Sequence, residues 1–139
     1  MWIRDSSVQV GIYLSKIINK PFLKTLVEGV LRTQAFYILQ DPYANAFSSA
    51  WKPVTRLEKF ERLLGRGGWV ATRNYELDSS VYFIQLLWNY YRNIHVNAPE
   101  HVVGEDIIYD AVHLVVHTWI IEQHHDNVSE YRYSEKETV

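Results

Sequence analysis

The tetrapeptide Asp5-Ser6-Ser7-Val8 recurs unchanged as Asp78-Ser79-Ser80-Val81, and each copy opens a stretch whose apolar residues return at helical spacing. In the first copy Ser6 and Gln9 form a capping-box pattern, and Val8, Ile12, Tyr13, Ile17 and Ile18 predict a helix near residues 6–19. Pro21 stands where a second helix would begin. Leu23, Leu26, Val27, Val30 and Leu31 carry that helix to Gln40, where Asp41-Pro42 stops it. In the second copy Asp78-Ser79-Ser80 caps a helix near 79–94 that is apolar or aromatic almost all the way round, through Val81, Phe83, Ile84, Leu86, Leu87, Trp88, Tyr90 and Tyr91. Such a helix should be buried on nearly every side. Pro99 and Gly104 mark the connection to a last helix near 104–125, with Ile107, Ile108, Ala111, Val112, Val115, Trp119 and Ile120 on one broad face. Two helical hairpins repeated in tandem suit an all-α toroid, in which alternate helices line an inner ring and the loops at one end build the site. A toroid takes about six hairpins and these residues supply two. The inner faces of the first and third long helices then lack neighbours, and self-association through exposed apolar helices is expected.

The stretch between the hairpins is less regular. Residues 43–53 show no period and read as a loop. Val54, Leu57, Phe60, Leu63 and Leu64 predict a short helix ended by Gly65, Gly67 and Gly68, and Trp69-Val70-Ala71-Thr72 reads as extended. Apolar periodicity fades from Glu130, so the domain is taken as 1–133 with a loose tail at 134–139.

Composition narrows the function classes. Of 139 residues 14 are basic and 16 acidic, a net charge of −2 that argues against a nucleic-acid partner. Without a cysteine there is no disulfide framework, thiolate metal site or cysteine nucleophile. No apolar run approaches the roughly 18 residues that span a bilayer, and the N-terminal residues do not read as a signal peptide; localisation is left open. Aromatic residues reach 14%, which serves either a packed core or the walls of a sugar site.

Two polar clusters could carry chemistry. Trp2, Arg4 and Asp5 combine an indole, a guanidinium and a carboxylate, a set able to hold vicinal hydroxyls against a sugar face; the plainer reading makes Asp5 a helix cap and Arg4 its surface partner. In Arg73-Asn74-Tyr75-Glu76-Leu77-Asp78, an extended backbone would put Glu76 and Asp78 on one side, facing one cavity; the plainer reading makes Asp78 a cap and Glu76 the partner of Arg73. His113 and His117 share a helix face at metal-ligand spacing, but no third ligand accompanies them and no metal site is assigned. His124-His125 would favour the negative pole of the last helix. Gly65-Arg66-Gly67-Gly68 lacks the lysine and hydroxyl of a phosphate-binding loop.

Four strings in order, Met1-Trp2-Ile3-Arg4-Asp5-Ser6 with Gln9-Val10, Asp41-Pro42-Tyr43-Ala44-Asn45-Ala46-Phe47, Tyr75-Glu76-Leu77-Asp78-Ser79, and Glu122-Gln123-His124 with Ser129, Tyr131 and Tyr133, resemble glycoside hydrolase family 125, the metal-independent exo-α-1,6-mannosidases. The resemblance covers residues 1 to about 133. It implies an (α/α)6 barrel that removes terminal mannose from α-1,6 linkages of N-glycan-type mannosides, with inversion and without metal or cofactor. The partner it implies is a mannose-containing oligosaccharide. Family members are considerably longer, and the general acid and base of the family fall in later segments. By position, Arg4, Asp5, Glu76 and Asp78, with Trp2, would bind the terminal mannose, and Asn45 and Tyr43 would lie in or beside the same pocket. Glu76 is the fallback for a catalytic acid. The alternative is a mannose-binding module or pseudoenzyme without turnover, and a third reading is a small helical bundle that dimerises through its aromatic helix.

Overall fold

A computed structural model describes residues 1–94 and 102–131. Four long helices form its frame: α1 (Ile3–Gly11), α2 (Pro21–Gln40), α4 (Leu77–Asn93) and α5 (Asp106–Glu122). Shorter elements fill the connections: strands β1 (Ala46–Lys52) and β2 (Gly68–Thr72), and helices α3 (Lys59–Leu63) and α6 (His125–Val128). The mostly helical class expected from the repeat holds, with one small two-stranded sheet added.

The two hairpins are stacked in register. The first helix of one, α1, packs chiefly on the first helix of the other, α4, and α2 packs on α5. Their buried faces follow helical spacing, with Val27, Leu31, Ala35 and Ile38 on α2 meeting Ile108, Ala111 and Val115 on α5. On α4 the buried side chains are Ser79, Ser80, Phe83, Leu86 and Tyr90. Burial of that helix on nearly every side is therefore not what the structure shows. Trp88 is 56% exposed and Val81 41%, because only one flank of α4 has a neighbour, and Val8 and Ile12 stand out from α1 in the same way. At the end remote from the motif copies, Arg32 of α2 donates to both oxygens of Glu105 at 2.6 to 3.0 Å, and the fully buried Tyr90 hydroxyl donates to Glu28. Burial and that carboxylate push the Tyr90 phenol well above its ordinary value.

Three expectations are corrected. The first helix begins at Ile3, not Ser6: the Ser6 hydroxyl donates back to the carbonyls of Trp2 and Ile3 and is not a cap. It ends at Gly11, and a 3-10 turn over Leu14–Lys16 leads to Lys20, which the following proline holds extended. Of residues 43–53 only the ends are loop, since 46–52 pair antiparallel with 68–72. The ladder is irregular, with bulges on both sides of Phe47, and only Ala46 and Phe47 of the strand are buried, so no alternation marks it in the sequence. Phe47 stacks on Tyr37 at 4.6 Å, and the Tyr37 hydroxyl donates to the carbonyl of Ser48, which ties the sheet to α2. The short helix at 54–64 is a 3-10 turn at Val54–Arg56 followed by α3, whose Glu61 carboxylate accepts the N–H of Glu58. Gly65 and Gly67 then turn the chain back at φ 69° and 123°, where any Cβ would also collide with Arg73 or Leu57. Tyr131 is buried, while the tail 134–139, Pro99 and Tyr133 lie outside the described residues.

Candidate functional site

Both copies of the Asp-Ser-Ser-Val motif start their helices at the same end of the molecule. There α1 and α4 present their N-terminal turns, α2 ends at Gln40, just before Asp41, and α5 ends at Glu122. Carboxylates are favoured at helix N-termini by the helix dipole, and Asp5 and Asp78 lie in those first turns. A cation from one copy joins the carboxylates of the other. Arg4 Nη1 donates to Asp78 Oδ2 at 2.8 Å and lies 3.7 Å from Glu76 Oε2. The Asp78 bond and charge, with Glu76 behind them, raise the Arg4 guanidinium above its ordinary range. All three side chains remain a third to a half open to solvent, so a ligand can reach them.

Glu76 and Asp78 converge although the extended stretch assumed for them is absent. The helix begins at Leu77, with Glu76 as the extended residue before it, and the Ser79 hydroxyl donates to Glu76 Oε2 at 3.3 Å. Asp78 belongs to the first turn and is not the cap. Glu76 is not the partner of Arg73, whose Nε donates instead to Asp41 at 2.6 Å while its guanidinium lies over the rings of Tyr43 and Tyr131. Asp5 is exposed beside Arg4, and Trp2 is 46% exposed next to them while its backbone bridges to Ala46. Asn45 does not join this group. Its side chain is buried, with Oδ1 accepting from the Thr72 hydroxyl at 2.7 Å and the Asn74 N–H at 3.4 Å, so it braces the chain behind the site.

A second constellation draws on residues of the motif strings, and the sequence assigned Glu122 no role in it. Glu122, at the end of α5, accepts the Tyr43 hydroxyl at 2.9 Å and the Ser129 hydroxyl, and its other oxygen meets His125 Nδ1 at 2.7 Å. Burial pushes this carboxyl up, but the bonds from Ser129, His125 and Tyr43 outweigh it and leave Glu122 below its ordinary value. His125 is thus held by a side chain, not by the helix pole expected for it. Glu122 and Ser129 share the fourth motif string with Tyr131, but Tyr43 lies 79 positions away from Glu122. Beside it opens a cleft of about 630 Å³ lined by Tyr75, Leu77, Trp119, Glu122, His125 and Tyr131 among others. Burial raises the Tyr75 phenol to about 12, with Glu122 and Tyr43 adding to the shift. His113 and His117 are exposed on α5, and among the described residues no three potential ligands gather for a metal.

Two stacked helical hairpins thus bring one guanidinium and two carboxylates together at one end. Residues 1–139 match the family of metal-independent alpha-mannosidases (GH125) over their whole length. The chain therefore belongs to family GH125. A solved structure from Streptococcus pneumoniae, of a metal-independent alpha-mannosidase in a non-productive substrate complex with alpha-1,6-mannobiose, is 31% identical with a TM-score of 0.76. It aligns with 95% of this chain, which covers 29% of that one. The meiotically up-regulated gene 157 protein of Schizosaccharomyces pombe is 32% identical, over 65% of this chain and 19% of that protein. The chain thus spans less than a third of either relative, and its hairpins correspond to part of an (α/α)6 barrel.

Proposed function

We propose that this chain forms the sugar-gripping part of an exo-acting α-1,6-mannosidase, acting on terminal mannose of N-glycan-type oligosaccharides with inversion. The observation that carries the reading is Arg4 set between Asp78 and Glu76 at the open end of two stacked hairpins. Carboxylates accept hydrogen bonds from hydroxyls and a guanidinium donates to them, so the trio can hold neighbouring hydroxyls of one mannose, with Asp5 beside it and the exposed Trp2 ring offered to an apolar sugar face. That the chain is similar to a protein bound to alpha-1,6-mannobiose supports the linkage.

Inversion needs one carboxylic acid to protonate the leaving oxygen and one carboxylate to activate water on the opposite face, roughly 6.5 to 9.5 Å apart. Glu76 and Asp78 do not fit those roles. Both contact a single Arg4 nitrogen, so their oxygens lie no further apart than the lower end of that range, and neither has the dry, unpaired setting of a general acid. In this reading they bind the glycone, and the acid and base come from outside these residues. The test is proton NMR of mannose released from α-1,6-mannobiose by the protein that carries this chain. The reading expects the β-anomer as first product and no release from α-1,2- or α-1,3-linked mannobiose; an α-anomer, or equal cleavage of all three, overturns it. Binding of mannobiose without any turnover would favour the alternative of a mannose-binding module.

A further inference from the structure

Three tyrosines from distant parts of the chain meet above the end of α5. Tyr43 and Tyr131 stack face to face, 5.0 Å apart with planes 2° off parallel, and Tyr75 meets their edges at 5.3 and 5.9 Å. Glu122 anchors the group through the Tyr43 and Ser129 hydroxyls, and Ser129 Oγ in turn accepts the N–H of Tyr131 at 3.1 Å. Both rings of the stack are therefore tied to one carboxylate, one by its hydroxyl and one by its backbone. The Tyr131 hydroxyl then reaches the other way. It accepts the N–H of Tyr75 at 2.9 Å and donates to the carbonyl of Arg73 at 3.3 Å, so a single phenol spans the 73–75 backbone. The Asn74 N–H adds a longer bond to Asn45 Oδ1, at 3.4 Å, and Arg73 Nε donates to Asp41 at 2.6 Å. The next residue is Glu76, and Leu77 opens α4.

We propose that Glu122 is a positioning residue for the sugar site: through Tyr43 and Ser129 it sets Tyr131, whose hydroxyl fixes the 73–75 backbone and so delivers Glu76 and the first turn of α4 to Arg4. The consequence for sugar rests on the function proposed above; the clamp itself rests on the bonds just described. Glu122 touches no ligand in this account. Its influence runs through a hydrogen-bonded tyrosine to the carboxylates at the start of its own hairpin, which meet Arg4 of the other.

The test uses the 139-residue chain, with Tyr131→Phe to delete the hydroxyl while keeping the ring stack, and Glu122→Gln to neutralise the anchor at constant size. Amide hydrogen exchange is read residue by residue, and affinity for α-1,6-mannobiose is read by calorimetry and corrected for the folded fraction. In Tyr131→Phe the Tyr75 amide should exchange about tenfold faster and mannobiose affinity should fall about tenfold, while the Val27 and Leu31 amides of α2 keep their protection. Glu122→Gln should move both readouts the same way by less. Unchanged Tyr75 exchange in Tyr131→Phe, or an affinity loss no larger than the unfolded fraction, overturns the proposal. The two readings separate cleanly: faster Tyr75 exchange in a chain that never binds mannobiose supports the clamp and removes the mannose site, whereas binding with unaltered exchange does the reverse.

Discussion

The two copies of Asp-Ser-Ser-Val start the same kind of helix and are locked in the same way, yet they contribute opposite charges to the site. In each copy the second serine accepts a hydrogen bond from the partner helix of its own hairpin. Ser7 receives Gln34 Nε2 at 2.8 Å, and Ser80 receives Trp119 Nε1 at 2.9 Å. The donors differ in kind and in reach. Gln34 is fully buried and also bonds the Ile3 carbonyl and the Ser6 hydroxyl, whereas Trp119 makes the one bond and turns part of its ring to the cleft. Just ahead of the motif the copies part: Arg4 precedes Asp5, but Leu77 precedes Asp78 and Glu76 stands before it. The repeated serines build the frame, while Arg4, Glu76 and the repeated Asp78 supply the chemistry. A ligand therefore needs both hairpins in register, because its cation comes from one and two of its carboxylates from the other.

The largest expected effect breaks the first lock. Gln34→Ala removes a buried amide whose two hydrogens are shared among Ser7, Ser6 and the Ile3 carbonyl, leaves a cavity, and should cost about 3 kcal/mol in urea unfolding. A loss under about 1 kcal/mol would mean that the first hairpin is held by apolar packing alone. Ser80→Ala strips the acceptor from Trp119 and should cost about 1 kcal/mol; equality with Gln34→Ala would erase the difference between the copies. The smallest effect is one of pH. Hydrogen bonds from Arg32, against a burial penalty, hold Glu105 below its ordinary 4.5, and Glu122 is lowered for the reasons given above. Since the unfolded chain takes up these protons first, their contribution is complete above about pH 5 and lost as pH falls through the folded values. Glu105→Gln and Glu122→Gln should each flatten the acid limb of stability against pH by less than about 1 kcal/mol, the more exposed Glu105 by less. A limb of unchanged steepness in both variants would contradict this assignment.

The helices were legible because their signal is local. Pro21, Asp41-Pro42 and the apolar stripe between them mark both ends of α2, and the repeat announces that a second hairpin follows. Arg4, Glu76 and Asp78 were legible as candidates, since each stands at the opening of a repeated helix. Of the sheet, residues 69–72 were legible as extended but their partner strand was not, because the pairing joins residues far apart and its bulged register hides the alternation. Nor was the role of Asn45, which the motif string suggests as a sugar ligand and which only burial assigns to bracing the backbone. Glu122 was legible as part of the fourth motif string, but its anchoring role was not, because Tyr43, Ser129 and His125 converge on it only in the fold.

The most direct test of the central claim is calorimetric titration of α-1,6-mannobiose into the chain and into its Arg4→Ala variant. Arg4 is an exposed side chain whose loss should leave the unfolding midpoint unchanged, so binding is read without a folding penalty. The account predicts a measurable affinity in the unaltered chain that drops about thirtyfold or more in the variant, as expected for a charge-assisted grip on hydroxyls and for two carboxylates left without their cation. Equal affinity in the two proteins would contradict it and move the sugar away from the junction of the two hairpins.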